Sequence, residues 1–188
     1  MKVFEEPVPG GMHCQGRRWG DGKSHQSKST FASYGVPFAR TSLARDQLVA
    51  AVPDSHKAFL RELRWVYEQD VPWGPGKLIC VHAGLQNERV AEQLAALRRK
   101  DMAAEVLWEK RKPGRFASLS GRSNVVPIPE ALRGKATVVS GHHGMTCVDG
   151  DRFIIDEGAG SPHKAMEALL LPDRVVISSD KGKGARGV

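Results

Sequence analysis

The sequence is short of several things at once, and each shortage closes off a class of protein. It has three cysteines in 188 residues. Cys14, Cys80 and Cys147 are widely spaced and odd in number, which excludes a disulfide-stapled scaffold and suits free thiols in a reducing compartment. Aromatic residues amount to only 6%, and asparagine occurs only as Asn87 and Asn124. No apolar run reaches the length of a membrane span. The first ten residues include Glu5, Glu6, Pro7 and Pro9, which make neither the apolar core of a signal peptide nor an acid-poor transit helix. The expected location is therefore cytoplasmic or nuclear. No internal repeat is present, so a solenoid is excluded.

What is present is the composition of a soluble globular protein, 40% hydrophobic and 26% charged, long enough for one domain with a real core. The net charge of +7 favours anionic partners: phosphate esters, acidic protein or nucleic acid. Part of that excess, Lys181, Lys183 and Arg186, alternates with glycine at the C-terminus, so residues 180–188 read as a basic flexible tail. The tail has no aromatic neighbours on which bases could stack, which argues against a nucleic-acid binder.

Along the chain, residues 1–30 have no sustained period and read as loop. Within them Arg17 and Arg18 stand beside Trp19, either as a clamp for an oxyanion or as a solvated turn with the tryptophan pinned to a core. Ser42 to Ala51 reads as a short helix. Asp54 caps a longer one, with Phe59, Leu60, Leu63, Val66 and Tyr67 spaced for one apolar face and an end before Pro72. A strand over 78–81 follows, then a helix from Asn87 to Lys100 through Val90, Leu94 and Leu97. Residues 100–127 lack periodicity, are dense in charge and read as a long loop or insertion. In it Ser120-Gly121-Arg122 stands out: glycine admits close backbone approach, and arginine binds phosphate bidentately. A plain surface charge is the alternative for Arg122. Two apolar runs around Pro172-Asp173 form a terminal hairpin.

The chemistry concentrates at two strand ends. Thr137-Val138-Val139-Ser140-Gly141-His142 is a buried β-branched run that delivers an imidazole at its C-terminal edge, and Asp149-Gly150 then turns a hairpin into Arg152 to Ile155. Lys77 to Val81 ends in the same manner, in His82-Ala83-Gly84. One strand-end histidine is ordinary. Two of the same design form a candidate metal site, since neutral imidazole suits zinc, iron or manganese and strand ends hold it rigidly.

Val81-His82-Ala83-Gly84-Leu85, Ser140-Gly141-His142 and Ile155-Asp156-Glu157-Gly158 resemble, in order and spacing, the C-terminal half of the calcineurin-like metallophosphoesterases. Met12-His13, Gln15 to Trp19, Leu119 to Arg122 and Gly141 to Gly144 are further similar to the plant and algal Rhizobiales-like group of phosphoprotein phosphatases. The resemblance implies an α/β fold, part of a four-layer α/β/β/α sandwich filling residues 1–179. It implies two divalent ions (manganese, iron or zinc) that activate water against a phosphomonoester, a phosphoprotein substrate above all. It makes His82 and His142 metal ligands and Arg122 a phosphate-orienting cation, with Arg17 and Arg18 as further phosphate-facing groups. His143 and Asp156 would support the ligands from outside.

The departures from the family pattern are equally specific. The family's earlier motifs, Gly-Asp-x-His-Gly, Gly-Asp-x-x-Asp-Arg-Gly and Gly-Asn-His, are all missing, and neither asparagine precedes a histidine. The chain begins about where the third motif ends in the family. The expectation is thus a truncated member with at most one weakly held ion, inactive alone, that could pair with a separate N-terminal half. The other reading is a non-catalytic module that binds phosphate or an anionic partner.

Overall fold

The computed structural model describes residues 28–39, 41–109, 116–158, 163–179 and 185–187, without the side chains of Ser42, Ala185 and Arg186. Arg17, Arg18 and the first part of the basic tail lie outside the described residues. The described residues fall into two compact units, divided between Leu63 and Arg64.

The first unit is helical. Lys28–Ser33 (α1) places Phe31 in a small core with Ala44, Leu48 and Val52, against which Tyr34, Val36 and Phe38 pack. Helix Ser42–Ala51 (α2) is the one expected; its cap is Thr41, whose hydroxyl accepts the Ala44 amide at 3.2 Å. The next helix, Asp54–Glu62 (α3), departs from expectation at both ends. Pro53 rather than Asp54 occupies the cap position, and the helix stops at Glu62, nine residues short of Val71. Its supposed continuation is a strand, Val66–Asp70 (β1). Val66 and Tyr67 are residues that favour strands, and cross-strand pairing with Cys80 and Val81 outweighs their helical spacing. No residue of α3 is buried, and Phe59 is 62% exposed.

The second unit is a mixed α/β assembly around a five-stranded sheet. Lys77–Val81 (β2) pairs antiparallel with β1, and Val90–Arg99 (α4) follows. After the short helix Ala117–Ser120 (α5) come Thr137–Ser140 (β3), Thr146–Asp149 (β4) and Arg152–Ile155 (β5), giving the order β1-β2-β3-β5-β4. All four residues of β3 are buried, as a central strand requires. The expected hairpin is there, with Asp149 facing Arg152 and Gly150 at φ 56°, a conformation that glycine adopts without cost. Strands β2, β3 and β5 run parallel to one another. Their C-terminal ends therefore meet at one edge, which is where His82, His142 and Asp156 follow them.

The expected terminal hairpin is Glu167–Leu170 (β6) with Val175–Ser178 (β7). Against the expectation of a wholly frayed tail, Ala185–Gly187 (β8) pairs with β7 as a third strand. The segment expected as a long loop is compact where it is described: Leu107, Phe116, Ala117, Ser118 and Val125 are all buried, carried by single turns of helix that leave no longer period to read. Cys80 and Cys147 are free thiols. No helix of the described residues is long and apolar enough to cross a membrane.

Candidate functional site

The site begins with backbone. The parallel ladder between β2 and β3 continues one step past the strands, where the Gly141 amide donates to the His82 carbonyl at 3.0 Å. The chain then turns sharply, because His142 holds a left-handed φ of 69°. That conformation is uncommon for a residue with a Cβ, and such strain concentrates at functional positions. With the two chains fastened this closely, the rings of His82 and His142 lie with centroids 4.9 Å apart and planes at 53°. This is the juxtaposition expected of the pair.

The two rings have different surroundings. His82 is the more solvent-accessible residue of the two, whereas His142 is partly buried, and its Nε2 has neither solvent nor a hydrogen-bond partner. Burial is the largest influence on His142 and pushes it down to about 4, helped by the charges of Arg122, His82 and His143 and opposed by a hydrogen bond to the Ser120 backbone. His82 is also lowered, first by desolvation, with Asp156 opposing and His143 and Arg122 assisting. Both shifts favour the neutral imidazole, the form that binds metal. The orphaned Nε2 is a donor atom without a job in the fold.

Arg122 comes to the same place from the loop after α5. Its Nη1 donates to the His142 carbonyl at 2.5 Å, while its own backbone amide is held by Asn124 Oδ1 at 3.2 Å. One bond fixes a guanidinium that carries five N–H donors. Around this trio the supports are dense. His143 bonds through Nε2 to the Ala83 carbonyl at 2.7 Å, and Ala83 in turn donates its amide to Ser118 O at 2.8 Å. Burial pushes the Asp156 carboxyl up, but the Gly144 and Gly158 amides it accepts, at 3.0 and 2.7 Å, and the two imidazoles outweigh this and hold it low. Asp156 thus fixes the loop after His142 and acts on the rings through its charge. On the other side, buried Gln93 of α4 takes the Gln86 amide at 3.0 Å and gives its own amide to the Gln86 carbonyl at 2.9 Å, fastening the loop after His82.

Sequence reasoning reached His82, His142, Arg122, His143 and Asp156, and these converge. It missed Gln93 and Arg152, whose only signal was polarity at positions that should be apolar. It placed Arg17 and Arg18 in the site, and these lie outside the described residues. Among the described residues no group of three or more His, Cys, Asp or Glu is arranged to hold a metal ion. The residues present fit a pair of imidazole ligands and not a complete site, since structural and catalytic zinc take three or four protein ligands. No protein-family model matches the chain, and no curated protein matches it.

Proposed function

We propose that this chain carries part of a metal-dependent phosphomonoesterase site of the calcineurin-like kind, with His82 and His142 as two ligands of one divalent ion and Arg122 as the cation that orients phosphate. The α/β architecture would then be the C-terminal part of that family's sandwich. The observation that carries the reading is the imidazole pair, 4.9 Å between centroids, with one buried nitrogen left without a partner. A bound ion would supply Lewis acidity and an activated water. The chain itself supplies neutral nitrogens at two strand ends and a guanidinium anchored to the backbone of one of them.

Ligand number sets the expected behaviour. Two imidazoles bind an ion weakly, and the established chemistry needs a second positive centre facing the same phosphate. The chain alone should show negligible hydrolysis of an aryl phosphate with added manganese. Supplying the three missing motifs, fused or in trans, should restore it, and His142→Ala in the restored protein should reduce it again by about 100-fold or more. Chelator-sensitive turnover by the chain alone would show that other residues make the site. A properly folded but inactive complemented protein would favour the second reading, a non-catalytic phosphate-binding module. That reading draws its support from the lack of a third ligand among the described residues.

A further inference from the structure

The largest fully buried side chain among the described residues is a charged one. Arg152, the first residue of β5, is 2% exposed, and its partners are all neutral. Its Nε donates to the Val126 carbonyl at 2.8 Å, and its Nη1 to the carbonyls of Phe153 at 2.6 Å and Val138 at 3.3 Å. Its Nη2 donates to Ser140 Oγ at 2.7 Å and reaches the carbonyls of Ala83 and Val125 at 3.4 Å each. An arginine kept only to fill the core would be out of place, because an apolar residue of similar volume avoids the cost of removing the charge from water.

The acceptors show what the charge is for. Ala83 directly follows His82, Ser140 lies two residues before His142, and Val125 lies three residues after Arg122. Ala83, Ala117 and Val125 form one buried cluster, and Gly84 lies so close to it that a Cβ there would sit 2.1 Å from the Val125 carbonyl oxygen. We propose that Arg152 is the positioning residue of the site: from beneath the sheet edge, one guanidinium holds the loops of His82, His142 and Arg122 in register, so that all three face one ligand. The inference rests on the reading of those three residues as a common site. It needs the planar fork of arginine, since a lysine presents its donors from a single point and cannot span acceptors on three separate segments.

The test uses the full chain with histidines isotopically labelled, reading the ring resonances of His82 and His142 at fixed pH and their broadening by Mn²⁺. Arg152→Met and Arg152→Lys should both displace the two ring resonances and weaken the Mn²⁺ response about 10-fold, as loss of a supporting shell does. Lysine, though it keeps the charge, should not rescue. Val176→Ala, a cavity in β7, serves as the control that lowers the melting temperature without moving either ring. If the Arg152 variants fail to fold, Ser140→Ala decides, because it removes one hydroxyl acceptor and should move His142 in the same direction by less. Folded variants with both rings unmoved and Mn²⁺ response intact would overturn the proposal. If the unaltered chain shows no Mn²⁺ response, the metal reading fails, while displacement of the rings, or its absence, still decides the role of Arg152.

Discussion

The edge of the five-stranded sheet and helix α3 both carry residues in a regular order, yet the order means different things in the two places. From Phe59 to Tyr67 the apolar residues follow a helical spacing, yet α3 ends at Glu62 and nothing in it is buried. At the sheet edge there is no side-chain period at all. Instead three parallel strands end together, and the residues beyond them are tied by backbone and buried polar bonds. Periodicity within an element signals burial only when a partner element receives the face. Convergence of strand ends needs no such partner, because the hydrogen-bond ladder itself brings the residues together.

Substitutions that ask the sheet edge for space should have the largest effect. Gly84 has a φ of 140°, and its missing Cβ leaves room for the Val125 carbonyl. Gly84→Ala should cost about 3 kcal/mol or more and speed amide exchange at residues 79–83 and 138–141. Retention of slow exchange there would mean that the two loops are not locked together.

Acid should act on the same edge more gently. His142 is held down at about 4 against an ordinary 6.5, so between those values the unfolded chain binds more protons than the folded one. Stability of the metal-free protein should therefore be complete above pH 6.5 and fall as the pH is lowered towards 4. The loss is roughly 1 kcal/mol after allowing for the ring's partial exposure. His142→Gln should flatten that slope in thermal melts across the range, and an unchanged slope would move the effect to another group.

The smallest effect belongs to α3. Phe59→Ser removes an apolar side chain that is 62% exposed and should change stability by no more than about 0.5 kcal/mol. A loss several times larger would show that the helix face is covered in solution, and would remove the contrast between the two regions.

How much of this was legible beforehand follows the same division. The runs Leu78 to Val81 and Thr137 to Val139 could be read because buried parallel strands are continuous and β-branched. The turn at Gly150 could be read from its glycine. Leu63, Val66 and Tyr67 misled because their spacing fits a helix, while the pairing of Val66 with Val81 that decides the matter is long-range. Leu107, Phe116 and Val125 could not be recognised as core, since one-turn helices carry no repeat. Within the candidate site, the histidines announced themselves by position. Arg152 did not, for a cation in a strand reads as solvent-facing until its six acceptors are seen.

Zinc binding by the full chain tests the shared pair most directly, because two ligands of one ion lose their effect together. Titration calorimetry should give one weak site per chain, abolished by His82→Ala and equally by His142→Ala, with the double variant no worse than either single one. Binding that survives the loss of one histidine, or that falls in two independent steps, would contradict a common site at the ends of β2 and β3.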